Sequence, residues 1–425
     1  WGASGWGSGP FNTGETSVEE LRVWSQQNFG EDLIFGYRNG PIYYWDATNA
    51  LSTRAVELAT LSGASAVPTI QNFILVSDIN RFVFCFGTTP IGSANKDPMI
   101  IRWSDQEDAT NWTPAATNQA GSLRLSRGTE IVAAAQARQE VLVWTDSSLY
   151  SLQYVGAGSG VWAAQLVGEQ ISIASQNSVA YASGVSYWMG KDKFYKYDGS
   201  TQPLQCDLRK YVFTDFNTEQ YNQVFGGSNE AFNEVWWFYC SSSATDNDRY
   251  VVYNYLEGIW DYGSMARSAW LDSGLRAFPL AATFNSVLVN HEEGVDDNET
   301  ATTAAISAFI TSADFDLEDG DRYMLMSRVL PDVSFEGSTA SNPAITMSFF
   351  PLTSSGSGYN DPTSESGVST GTATRSATSP VEVYTSQIHT RVRGRQVSMK
   401  IESSAEGVQW QSGAPRIDLR PDGRR

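Results

Sequence analysis

Short runs of alternating apolar and polar residues, closed by Gly, Asn, Asp or Ser, recur along most of this chain, and they predict β-strands joined by tight turns. The clearest groups are "DLIFGYRNGPIYYWD", "NFILVSDINRFVFCF", "EIVAAAQARQEVLVWTDSSLYSLQ", "SVAYASGVSYWMGKDKFYKYDG", "QVFGGSNEAFNEVWWFYC" and "PLAATFNSVLVNHEEG". Each has a short apolar strand, a polar or Gly turn and a stronger strand, and several add a third. With Leu33, Phe73, Ile131, Val179, Val224 and Leu280 as equivalent starts, the spacings are 40, 58, 48, 45 and 56 residues. A strand-built unit recurring every 40 to 50 residues is the signature of a β-propeller blade, so six units predict six blades. A long β-sandwich with chance internal similarity is the competing architecture.

Helical periodicity is scarce. It is best over Ser17 to Gln27, where Ser17 and Glu20 form a capping box and Val18, Leu21 and Trp24 share one face. Before it lies "WGASGWGSGPFNTG", five glycines and two tryptophans in fourteen residues without an initiator Met. Glycine makes positive φ cheap, so this segment reads as an arm whose Trp1 and Trp6 plug apolar pockets, on another chain for instance, or as a disordered leader. After Asp296 the texture changes. "AAISAFITSADFDL", "RYMLMSRVLPDVSFEG", "PAITMSFFPL", "QIHTRVRGRQVSMKIESS" and "VQWQSGAPRIDLR" read as a separate antiparallel β domain. Within it, residues 353–380 hold eight Ser, six Thr, four Gly and two Pro, the composition of a long loop. The expected organisation is therefore all-β. Residues 1–29 form the arm and short helix, 30–304 the six-bladed propeller, and 305–425 the C-terminal β domain.

Composition adds a charge argument. The 425 residues carry 28 Lys+Arg against 47 Asp+Glu, a formal net charge of −19. Such a surface repels nucleic acid, because gripping DNA means neutralising its phosphates with cations. The exception is the end: from His389 to Arg425, seven Arg and one Lys face four acids, a net of +4 that leaves −23 on the rest. In "TRVRGRQVSMK" Arg391, Arg393 and Arg395 alternate, so one strand presents all three on one face, and carboxylates across an interface are their expected partners. A solvated edge strand is the alternative. Cys85, Cys206 and Cys240 form no C-x-x-C and read as small buried hydrophobes of a protein matured in a reducing cytosol. No apolar run approaches 18 residues, so neither a membrane span nor a signal peptide is expected.

Candidate chemistry is sparse. His291 and His389 lie too far apart in sequence for a metal-pair spacing, and no G-x-S-x-G elbow accompanies either. "DFDLEDGDRY" gathers Asp314, Asp316, Glu318, Asp319 and Asp321, but an EF-hand loop wants Gly at its sixth position, where Asp319 stands, so a solvated acidic turn is the preferred reading. In "RWSDQEDATNWTP" Ser104, Asp105 and Trp112 suit a structural turn in which Asp binds backbone N–H groups and Trp packs between blades. No stretch nominates the carboxylate pair a glycosidase needs. No phosphate-cradling P-loop occurs. Asn111-Trp112-Thr113 and Asn298-Glu299-Thr300 match glycosylation sequons only by chance if no secretory signal is present. No catalytic residue, cofactor or metal is expected, and the chain is not expected to be an enzyme.

Several strings together resemble the tail nozzle, or packaged-DNA stabilisation, proteins of short-tailed bacteriophages. They are "VWSQQNFGEDLIF", "MIIRWSDQEDATNWTPAATNQAGSLRLSRGTEIVAA", "VLVWTDSSLYSLQYVG", "YWMGKDKFYKYDG", "FNEVWWFYCSSSATDNDRYVVYNYLEGIW" and "RIDLRPDGRR". The likeness runs from about Leu21 to Arg425; members of that family usually have residues before the Trp-Gly loop, which this sequence lacks. The resemblance implies a structural virion protein, assembled in the host cytoplasm, forming a homohexameric tube below the portal and its adaptor ring. It also implies neighbouring tail fibre, spike or needle proteins, genome retention after packaging, and passage of DNA without tight binding. Trp1, Trp6, Arg391, Arg393 and Arg395 are the expected interface residues. A propeller-type carbohydrate-binding or glycan-cleaving host-attachment protein is the alternative.

Overall fold

The alternating runs do form strands, and over residues 24–290 successive strands pair with their chain neighbours. In the computed structural model the residues described are 21–78, 80–156, 160–274, 276–300, 302–318, 320–353 and 376–423. Contacts divide the chain into two units, Trp1–His291 and Glu292–Arg425; the sequence reading set this boundary at 304.

The first unit is a row of six antiparallel meanders. Five have four strands and the last has three, over residues 24–57, 73–124, 131–169, 179–204, 225–264 and 269–290. Period-two alternation gives each strand two faces, and between chain neighbours both are used. Ile34 and Ile42 of the first sheet pack with Ile74, Val76, Val83 and Cys85 of the second. The other side of the second sheet places Phe73, Phe84 and Phe86 against Val141, Val143 and Leu152 of the third. Trp144 and Trp188, with ring centroids 5.2 Å apart, join the third sheet to the fourth. Met189 and Phe194 meet Val235 and Trp237 across the next junction. Trp236 then stacks on Trp270 of the sixth sheet at 5.4 Å. Gly227 makes that last approach feasible: a Cβ there would lie 2.3 Å from Trp270 Cδ1. The result is an all-β, propeller-like arrangement.

Three predicted starts, Phe73, Ile131 and Val179, open a first strand, and Val224 precedes one by a residue. Leu33 and Leu280 instead lie on or open the second strands of their sheets, Asp32–Tyr37 and Leu280–Ala282. The helix expected over Ser17 to Gln27 is corrected: its described part runs into strand Trp24–Phe29, paired with Asp32–Tyr37. Tertiary bonding overrides the helical spacing here, because Ser25 Oγ accepts from Ile74 N at 3.0 Å and Gln27 Oε1 accepts from Val76 N. Only alternate residues of an extended strand can face one neighbour in that way.

In the second unit, a sheet ordered Ala308–Thr311, Gln396–Ser403, Ala344–Leu352, Ala377–Glu382 shares a core with a three-stranded sheet ordered Ile388–Gly394, Met324–Leu330, Arg416–Pro421. Met324, Met326 and Val392 from one meet Met347, Phe349 and Ile401 from the other. Of the loop expected over 353–380, residues 354–375 lie outside the described residues; Ala377 to Pro380 belong to a strand, paired with Thr346 to Phe349.

Candidate functional site

The first unit holds a half-open cavity of about 720 Å³, lined by five of its sheets and by the segment leading into the fourth. Trp24–Gln27, Phe73–Leu75, Ala134, Phe225 and Ala269 come from first strands, and Gln176 and Asn177 from the approach to the fourth sheet. Side chains as well as backbone tie these strands together. Asn72 Nδ2 donates to Ile131 O at 3.2 Å, Gly226 N donates to Asn177 O at 2.7 Å, and Trp270 Nε1 donates to Ser228 O at 2.8 Å. Arg38, in the turn after Asp32–Tyr37, donates from Nη1 to Asn222 Oδ1 at 3.2 Å, reaching from the first sheet to the approach to the fifth.

The wall is rich in amides. Gln26, Gln27, Gln176 and Asn177 line one part, and Asn222, Gln223 and Asn247 another. Asn247 is buried, and its Nδ2 donates to Gln223 O at 2.8 Å. Arg22 and Asp246 are the charged side chains on the wall, and Arg22 lies over the Tyr37 ring at 4.9 Å. Trp24, 50% exposed, and Phe284 add aromatic surface. Amides both donate and accept while carrying no charge, so this wall suits a neutral polar guest or water and offers no cationic cradle for phosphate. Sequence reasoning did not find this set, because isolated Gln and Asn read as turn or loop residues.

Trp1 and Trp6 lie outside the described residues. Arg393 and Arg395 both lie over the Tyr323 ring, with guanidinium carbons 4.2 and 5.0 Å from its centroid. Arg393 pairs with Asp422, and Arg395 donates to the carbonyls of Asp321 and Gly320. Arg391 is exposed on strand Ile388–Gly394. Two of the three therefore have contacts inside the unit, through a tyrosine about seventy residues away in sequence.

The turn around Trp112 is structural in geometry. Trp112 is buried and donates from Nε1 to Ala109 O at 2.8 Å, Ser104 Oγ accepts from Val83 N at 3.1 Å, and Asp105 Oδ1 accepts from Gln119 N at 2.8 Å. His291 Nε2 accepts from Arg267 Nε at 3.0 Å, and its ring lies 4.7 Å from Trp270. His389 is exposed. Asp316 Oδ2 accepts from Gln396 Nε2 at 3.1 Å, and among the described residues no group of three His, Cys, Asp or Glu is placed to hold a metal.

All three cysteines are free. Burial pushes the Cys85 thiol up to about 12 and the Cys206 and Cys240 thiols up to about 11. Burial also lifts Tyr250 to about 12, helped by Asp261 and Glu234, and Tyr187 to about 12, helped by Tyr253 and Tyr255. The neutral forms are thus favoured in the folded state. Their stabilisation is complete below the unfolded pKa values, about 8.5 for Cys and about 10 for Tyr, and is lost as pH climbs toward the folded values. The urea midpoint should accordingly fall between about pH 8.5 and pH 11. A midpoint flat across that range would mean these groups ionise freely when folded.

No family model matches the chain, and no curated protein matches it. Solved structures with partial likeness include the extracellular domain of a one component system from B. thetaiotaomicron, at 12% identity and TM-score 0.38, covering 65% of this chain and 34% of that one. Hsv2 of Kluyveromyces lactis aligns at 9% identity and TM-score 0.34, covering 63% and 73%. BamB from Moraxella catarrhalis aligns at 11% identity and TM-score 0.35, covering 64% and 85%. This chain thus spans about a third of the B. thetaiotaomicron domain.

Proposed function

We propose that this protein is a subunit of the tail nozzle of a short-tailed bacteriophage, with the six sheets of its first unit serving as propeller blades. In this reading copies join as a homohexameric ring below the portal and adaptor, retain the packaged genome and guide it out. The observation that carries the reading is apolar surface at a sheet edge that no other described strand covers. Strand Ala308–Thr311 is an edge strand, and Ile306, Phe309 and Ile310 on and beside it are all exposed. Unpaired edges with exposed apolar side chains are templates for another chain, which suits a subunit built to assemble.

Two further features agree. The blade cavity lies in the range of small-molecule cavities, roughly 300–1,000 Å³, so a passage for duplex DNA has to form between copies. A net charge of −19 gives each copy a surface that repels a polyanion overall. Negative-stain microscopy of the purified chain should show closed rings with an open centre, and low-salt gel shifts should show no appreciable hold on duplex DNA. Single copies at every concentration, or tight salt-sensitive DNA binding, would overturn the reading.

The amide-lined cavity supports the second reading, a carbohydrate-binding host-attachment propeller, because amides bond hydroxyls in both senses and Trp24 offers a stacking face. Saturable binding of a host glycan, abolished by Trp24→Ala, would favour it over the nozzle.

A further inference from the structure

The arginines of strand Ile388–Gly394 belong to a larger basic face. In the three-stranded sheet, Arg393 pairs in register with Leu325, which pairs with Arg420 on the far strand. Directly paired residues share a face, so Leu325, Arg393 and Arg420 point the same way, opposite to the buried Met324, Met326 and Val392. Arg328 opposes His389 on one side and Asp418 on the other, beyond an irregularity in register. Alternation adds Arg391 and Arg416 to this outward face. Five guanidiniums therefore stand on one small sheet of a protein whose net charge is −19.

Two of them have carboxylates: Arg328 grips Asp418 through Nη2 at 3.0 Å and Nε at 3.1 Å, and Arg393 pairs with Asp422. Arg391, Arg416 and Arg420 are exposed and have no ion-pair partner among the described residues. Neighbouring strands lie about 4.8 Å apart, so Arg391 and Arg420, on the two outer strands, flank the central strand at roughly 10 Å. Leu325, half-buried, lies between Arg393 and Arg420, with Arg391 two residues further along its strand. A small apolar centre with a guanidinium rim is the layout of a protein interface, where Arg forks orient carboxylates.

We propose that this face docks onto acidic surface of a second copy of the chain. The inference rests on the assembling-subunit reading and adds the surface through which copies meet. Charge complementarity selects the occupant. Residues 292–388 hold three basic against fifteen acidic side chains, a net of −12, and residues 1–291 hold 17 against 28, a net of −11. Nucleic acid fits less well: Asp418 and Asp422 sit on or beside the patch, and the −23 on the rest of each copy repels a polyanion.

The test is sedimentation velocity of the full chain at about 0.01 M and about 1 M salt, between which the Debye length falls from about 30 Å to about 3 Å. The wild type should associate at low salt and weaken at high salt. Arg391→Glu/Arg416→Glu/Arg420→Glu should weaken low-salt association by more than about tenfold, since reversed charges meet the same acids. Circular dichroism checks that it folds, and the triple Gln variant, which adds no charge, should show a smaller loss in the same direction. If both variants associate like wild type, the surface is wrong while the assembling subunit stands. A wild type that stays single at both salts sinks both. A fluorescent duplex DNA that binds wild type and not the Glu variant would show the face to be a nucleic-acid site.

Discussion

Trp237→Ala loses about 3–5 kcal/mol of folding free energy, the range for removing a buried Trp or Phe. Trp237 is fully buried at the junction of the fourth and fifth sheets, 5.0 Å from the Phe194 ring and 6.0 Å from Trp260. Its Nε1 also donates to Ser178 O at 2.9 Å, so truncation opens a cavity and leaves that buried carbonyl with only the longer bond from Met189 N at 3.4 Å. Domains hold about 5–15 kcal/mol in all, so this single change consumes a large part of the margin. Trp237→Phe restores most of the volume but not the donor and should fall between the two. Guanidinium denaturation monitored by far-UV circular dichroism measures the series, and a loss under about 1 kcal/mol for the alanine variant would mean the junction repacks.

Arg102→Ala is expected to cost a similar amount for a different reason. Arg102 is 2% exposed and has no carboxylate partner among the described residues. Instead its Nη1 donates to Thr89 O at 3.1 Å, its Nη2 donates to Ala66 O, and the guanidinium lies 5.9 Å from the Trp112 ring centroid. Desolvation lowers its pKa, chiefly because burial disfavours the charge. One side chain therefore ties the Thr89, Ala66 and Trp112 carbonyls to strand Asp97–Trp103, and the buried Thr89 carbonyl left without this donor costs about 1–3 kcal/mol. Summed with the lost packing, the alanine variant should lose about 3–5 kcal/mol. Arg102→Met keeps the volume, removes the buried charge and should lose less. Equal losses for Ala and Met would assign the whole effect to the carbonyls.

The middle of the first unit was readable because its strands are apolar on both faces. "FILV", "VFCF" and "VLVWT" admit few other structures, and the starts Phe73, Ile131 and Val179 coincide with strand starts. Legibility fails at both ends of the row. The first strand of the first sheet, "WSQQNF", is mostly polar, because Ser25 and Gln27 bond backbone N–H groups of the next sheet instead of filling a core. The first strand of the last sheet is only "AWL", too short for a periodic signal. Units counted from apolar runs therefore skipped to the second strand at each end. Of the expected arginine row, Arg391 and Arg393 share strand Ile388–Gly394, whereas Arg395 falls in the bend before Gln396–Ser403, because the chain turns there. The row's enlargement by Arg328, Arg416 and Arg420 depends on which strands flank Met324–Leu330, and that pairing spans some ninety residues.

The nearest-neighbour packing of the six sheets governs the order in which the first unit is made. Each sheet is a meander completed within a few dozen residues, and five of the junctions join sheets adjacent in the chain. Loop-closure entropy inside each meander is small, so a sheet can form as soon as its last strand leaves the ribosome and then serve as the platform for the next. Contacts such as Arg38 to Asn222, 184 residues apart, have to wait for the fifth sheet. Synthesis thus lays the unit down from the first sheet onward, and the bond from Arg38 to Asn222 is among the last to form.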